Sequence, residues 1–127
     1  MLIFISGPLS SESRTVEESR VGAAMDMAIK LIARGHLPVV PHLTWYLDQR
    51  ARQLYHTDIP REAWMALALT LLERCDAVFC VERLGASPGV RAELNHAEAR
   101  GKEIYYDLRD VPFGPDLAQL PAPYQEE

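Results

Sequence analysis

The apolar positions change period along the chain, and the changes mark out its elements. Leu2 to Ile5 is an unbroken apolar run closed by Ser6-Gly7-Pro8, which predicts a buried strand and then a loop. Val21, Ala24, Met25, Ala28, Leu31 and Ile32 recur at helical spacing until Gly35, predicting an amphipathic helix that a glycine stops. Thr15 and Glu18 read as a capping box at its start. Leu37 to Val40 predicts a second short strand, bounded by Pro41-His42. Residues 43 to 57 carry Trp45, Tyr46 and Tyr55 among mixed charges and predict a short helix or lid. Asp58 as N-cap and Pro60 in the first turn predict a helix from about Ile59 to Arg74. Trp64, Met65, Leu67, Leu69, Leu71 and Leu72 make that helix apolar over much of its surface, so deep packing is expected. A third strand follows at Ala77 to Val81, then a helix at Val90 to Arg100 with Gly101 after it, and a fourth strand at Glu103 to Tyr106.

Alternating strands and helices with continuous apolar strands imply an α/β protein: a single-domain three-layer sandwich around a parallel sheet of four or five strands. The expected strand order is the doubly wound, flavodoxin-like 2-1-3-4-5. Beyond Asp107 the chain turns rich in proline and closes on an acidic pair, reading as an extended tail with a possible edge strand around Val111.

Composition narrows the function classes. The length of 127 residues suits one domain, with 48% hydrophobic and 24% charged residues. A net charge of −5 argues against binding a nucleic-acid polymer, which requires a basic face that releases counterions. No apolar run reaches the roughly 18 residues needed to span a membrane, and no basic residue precedes the first apolar run, so neither membrane nor leader is expected. Cys75 and Cys80 match neither a redox nor a zinc spacing; they read as reduced structural residues, pointing to opposite faces of one strand, in a cytoplasmic protein.

The chemistry concentrates in two loops. Ligands of open α/β sheets bind beyond the carboxyl ends of the strands, where the strand order reverses. Here that point falls between strands one and three, at Ser6-Gly7-Pro8-Leu9-Ser10-Ser11 and at the segment Glu82 to Gly89. Ser87 is a plausible N-cap, Pro88 suits the first helical position, and Gly89 lets a ligand approach unpaired amides, so the helix mouth is a candidate anion site. Glu93 lies four residues further, on the same helical face and roughly 6 Å along the axis. A carboxylate there could attack an anomeric carbon or stabilise charge developing on it. Serine-proline-glycine is equally an ordinary helix start, and a glutamate in the second turn is usually a solvated one.

The segments IFISGP and CDAVFCVERLGASPGVRAELNHAEARGKEIYY together resemble the nucleoside 2-deoxyribosyltransferase superfamily, including its nucleotide N-glycosidases and small proteins with a YIAGP-like first strand. The resemblance covers about Met1 to Tyr106, dividing the chain into a deoxyribosyltransferase-like domain at 1–107 and a tail at 108–127. It implies that Glu93 is the nucleophile toward C1′, that Ser87 and Gly89 hold the 5′ end of the sugar or its phosphate, and that Gly7, flanked by Ser6 and Pro8, borders base and sugar. It implies a small nucleoside or nucleotide as partner, no cofactor, no metal, and a homo-oligomer. Two departures stand out. Phe4 occupies the first-strand position where a tyrosine is common, and Ala68 stands eight positions before Asp76, where an acid that protonates the leaving base is expected.

His42, Asp58 and His56 are candidates to replace that acid, His42 being best placed because it follows strand two. Trp45, Tyr46 and Tyr55 could stack a base, and Arg14, Arg20 and Arg91 could pair with phosphate. Packing and solvated-charge roles serve these residues as well. The leading expectation is an N-glycosidase or deoxyribosyltransferase; the alternatives are an inactive nucleotide-binding module and a purely structural oligomer.

Overall fold

The computed structural model describes residues 1–82 and 87–117; the loop residues 83–86 and the tail beyond 117, both included in the expectations above, lie outside it. The strands are β1 (Leu2–Ser6), β2 (Leu37–Val39), β3 (Ala77–Cys80) and β4 (Glu103–Tyr105), and the helices are α1 (Arg14–Ala33), α2 (Thr44–Tyr55), α3 (Arg61–Glu73) and α4 (Pro88–Ala99). All strand pairs are parallel and the order is β2-β1-β3-β4. The expected α/β architecture is therefore present, and the order reverses between β1 and β3.

Strand alternation divides the core into two layers. Ile3, Ile5, Ala77 and Phe79 pack with Ala24, Ala28 and Leu31 of α1 on one face of the sheet. Phe4 and Val78 pack with Leu72, Cys75 and Ala97 from the α3 and α4 side on the other. Phe4 thus fills core space, as its side chain dictates.

Several local expectations are corrected. The N-cap of α1 is Ser13, whose Oγ accepts from the Val16 amide at 3.3 Å, so Thr15 already lies inside the helix. Ile32 is 45% exposed, beyond the buried stripe. Pro60, without a side-chain cap, precedes α3, while Asp58 faces Arg52 at 3.5 Å. Among the residues of α3 only Leu72 is buried, because the helix covers the sheet with its last turn and leaves Trp64 and Met65 to line a cleft. Cys75 follows the end of α3 rather than sitting in a strand, and both thiols lie on the same side of the sheet: Cys75 packs with Val78, whose side Cys80 shares by alternation. Both are free and buried, and burial pushes the Cys75 thiol up to about 11.

No fifth strand occurs among the described residues. A 3-10 turn at Leu108–Asp110 instead delivers Val111, 1% exposed, into the α1 layer of the core. The following segment lies over the end of α1: Arg34 Nη1 donates to the Val111 carbonyl at 2.9 Å, the Gly114 amide donates to the Arg34 carbonyl at 2.8 Å, and the Arg34 guanidinium stands 4.4 Å from the Phe113 ring. No helix among the described residues is long and apolar enough to cross a membrane.

Candidate functional site

The carboxyl ends of β1 and β3 open into a cleft of about 470 Å³. Gly7 and Pro8 enter from the loop after β1, His42 from the 3-10 turn Pro41–Leu43, and Ser87, Gly89 and Glu93 from the start of α4. The first loop is set by close packing: the Val81 amide donates to the Ser6 carbonyl at 2.9 Å, and a Cβ on Gly7 would fall 2.2 Å from Val81 Cγ2. Glycine is required there by space rather than by backbone angle. Arg20 fastens the rest of that loop by donating from Nη1 to the Ser10 carbonyl at 2.7 Å.

Ser6 is fully buried at the end of β1, and its Oγ donates to Glu93 Oε1 at 2.7 Å. Glu93 therefore faces inward from α4 toward the first strand. Burial pushes its carboxyl up to about 7, the Ser6 hydrogen bond opposing that rise by favouring the charged form. A carboxyl poised near neutrality inside a cleft can serve as a nucleophile when ionised or hold a proton when not.

The helix mouth has the expected cap. Ser87 Oγ accepts from the Val90 amide at 3.4 Å, and Pro88 occupies the first helical position. Two of the donors foreseen for an anion are engaged, since the Ser87 amide also points to Glu82 Oε2 at 3.5 Å. The amide of Gly89 remains without a partner among the described residues, and a Cβ built on Gly89 meets nothing within 4 Å, so the cleft is open above it.

His42 is 3% exposed, and its Nε2 lies 3.1 Å from the Gly7 carbonyl oxygen. Desolvation pushes its pKa below the ordinary histidine value, so the ring is neutral at physiological pH. A carbonyl only accepts, so Nε2 carries the hydrogen and Nδ1 is a bare acceptor. Ala68 lines the same cleft, with no carboxylate at that position.

The remaining candidates divide. Trp45 lines the cleft, is 6% exposed and donates from Nε1 to Glu17 Oε1 at 3.3 Å, with the Arg14 guanidinium 5.8 Å from its ring. Tyr46 and Tyr55 are 51% and 70% exposed and do not line the cleft. His56 ends α2 in the left-handed conformation, and Arg91 is exposed. The cleft also contains residues that the sequence did not single out, including Asp48, Arg52 and Arg61. Asp48 and Arg52 lie on α2 and Arg61 opens α3; charged residues at such positions read as solvated, and only the packing of the two helices around the cleft distinguishes them. No group of three His, Cys, Asp or Glu side chains among the described residues could hold a metal ion.

Residues 1–107 match a family model described as a domain of unknown function, DUF7768. The chain belongs to the DUF7768 family. No curated protein matches the sequence. Among solved structures, this DUF7768 chain is similar to a 2-deoxyribosyltransferase from the psychrotolerant bacterium Bacillus psychrosaccharolyticus, with a TM-score of 0.56 and 16% identity over 91% of this chain and 98% of that one. At that identity the likeness establishes the fold: the four-stranded parallel sheet and its helices are arranged as in the deoxyribosyltransferase.

Proposed function

We propose that the cleft cleaves or transfers the base–sugar bond of a small nucleoside or 5′-nucleotide, with Glu93 as the nucleophile. The observation that carries this reading is the inward-facing Glu93 carboxyl, held by Ser6 Oγ at 2.7 Å within a cleft large enough for a nucleoside. The shared fold with a 2-deoxyribosyltransferase supports the same class of chemistry. In the ionised form, Glu93 attacks the anomeric carbon and forms a glycosyl ester while the base departs with the bonding electrons and takes up a proton from solvent water. Water or a second base then attacks the same carbon and frees the carboxylate. The 5′ end of the sugar lies toward Ser87 and Gly89, with Ser6, Gly7 and Pro8 beneath the ring and His42 on the base side.

We extend the reading to a homo-oligomer in the cytoplasm. Leu47, Leu54 and Tyr55 of α2 are each more than half exposed, a row that assembly of copies would cover, and both cysteines are free thiols.

The test compares wild type with Glu93→Gln on a panel of nucleosides, deoxynucleosides and their 5′-monophosphates, following free base. Release is expected from the wild type and a loss of at least about a thousandfold from the variant. Equal background release from both proteins across the panel contradicts the assignment. Ala68 favours a second reading, a nucleotide-binding module that retains the pocket without chemistry. A tight nucleotide complex by calorimetry with no turnover is its signature.

A further inference from the structure

Glu17 stands in the first turn of α1, where a carboxylate suits the helix dipole, and it lines the cleft. Both of its oxygens are engaged by other elements. Oε2 accepts from the Ser11 amide at 3.1 Å, in the loop that follows β1, and Oε1 accepts from the Trp45 indole N–H at 3.3 Å, on α2. One carboxylate thus ties together two stretches that line the same cleft: residues 7–10 of the loop, and Trp45, Asp48 and Arg52 of the helix.

The two stretches depend on this tie to different degrees. The loop has a second hold on α1, because Arg20, three residues after Glu17 and so on the same helical face, donates from Nη1 to the Ser10 carbonyl at 2.7 Å. An anion and a cation of one helix therefore grip the loop backbone. α2 has fewer attachments. Of its residues only Trp45 is buried, while Leu47, Leu54 and Tyr55 are more than half exposed. Among the described residues its other side-chain bonds stay local: Thr44 Oγ1 donates to the Pro41 carbonyl at 2.7 Å, and Arg52 pairs with Asp48 and Asp58. The bond from Trp45 to Glu17 instead joins residues 28 apart, and the Arg14 guanidinium, 5.8 Å from the same ring, adds to the hold. Hydrogen bonds to a charged acceptor are stronger than neutral ones, so loss of this carboxylate frees both stretches at once.

We propose that Glu17 is a positioning residue of the cleft, coupling the loop after β1 to α2 so that a ligand meets one preformed wall. It acts through Ser11 and Trp45, since both its oxygens are taken, and it makes no bond in the covalent step of Glu93. The inference rests on the nucleoside reading for its ligand, whereas the coupling is a property of the free protein. A wall already held in place spares the ligand the cost of ordering it, so loss of Glu17 weakens binding and leaves the chemical step alone.

Hydrogen exchange on the ligand-free full chain tests the coupling, comparing wild type with Glu17→Ala, Glu17→Gln, Arg20→Met and Trp45→Phe, each first shown to melt cooperatively. Glu17→Ala is expected to speed exchange at least about tenfold both in residues 7–13 and in residues 44–55, with Ala77–Cys80 and Pro88–Ala99 unchanged. Arg20→Met should affect the first segment alone, and Trp45→Phe the second alone. Glu17→Gln, whose amide offers one acceptor to the two donors, should fall between wild type and Glu17→Ala. Base release separates positioning from mere stability: with a deoxynucleoside that wild type cleaves, Glu17→Ala should raise KM at least about tenfold and keep kcat within about threefold. Faster exchange in only one of the two segments, or throughout the chain, overturns the inference, as does a KM within twofold of wild type. If wild type releases base from no deoxynucleoside, the nucleoside reading fails, and the exchange result still decides the coupling.

Discussion

Glu93 is placed where a nucleophile is useful and a carboxylate is costly. Its carboxyl rises from 4.5 to about 7 because burial disfavours the charged form more than Ser6 restores it. Between those values the folded protein holds a proton that the unfolded chain has released. Stability therefore falls as pH rises through that window, by about 3 kcal/mol once both states are ionised. Glu93→Gln removes the charge and retains an acceptor for Ser6, so it should melt roughly 5–10 °C above wild type at pH 8, with the gap closing toward pH 4.5. A gap independent of pH, or a variant less stable than wild type at pH 8, contradicts the burial of this carboxyl. At this scale the placement of Ser6, Gly7, Ser87, Gly89 and Glu93 was legible in the sequence, because the end of β1, the loop after it and the first turns of α4 are sent by topology to one edge of the sheet. Asp48 was not legible: it lies in a helix of mixed polarity, and its place in the cleft follows from packing that no spacing encodes.

Elements were legible wherever one signal dominated. The apolar runs of β1 and β3 and the Ser87-Pro88 start of α4 leave little choice. Thr15 and Asp58 misled because each sits beside a competing solution, Ser13 for α1 and Pro60 for α3. For α3, apolar content suggested deep packing, but its outer residues form the wall of a cleft, and composition alone does not separate a core face from a pocket face. The segment after β4 was expected as an extended tail with an edge strand around Val111, whereas it forms a 3-10 turn that buries Val111, and its anchorage was not legible either. Gly35 has φ +89°, and a Cβ there would fall 2.3 Å from the Pro115 carbonyl oxygen, so strand-like spacing gives no hint of the contact. Gly35→Ala adds left-handed strain to a backbone clash and should cost roughly 2–4 kcal/mol in chemical denaturation. A cost below about 0.5 kcal/mol would show that the segment around Gly114 does not bind this turn in solution.

For the whole molecule, parallel strands joined by helices admit few topologies, so the strand order could be inferred before any coordinate. That order fixes where the connections leaving β1 and β3 part to opposite faces of the sheet, and the cleft lies at that point. The proposed reaction depends on what the order places there: a buried serine on β1 and a glutamate on α4, 87 residues apart in sequence and in hydrogen-bond contact. The most direct measurement is the mass of the protein quenched in acid during turnover of a deoxynucleoside that it accepts, followed by peptide mapping. The account predicts a deoxyribosyl increment on the peptide bearing Glu93, confined to that residue and absent from Glu93→Gln. Turnover with the increment on another residue, or undiminished turnover by Glu93→Gln, would contradict it.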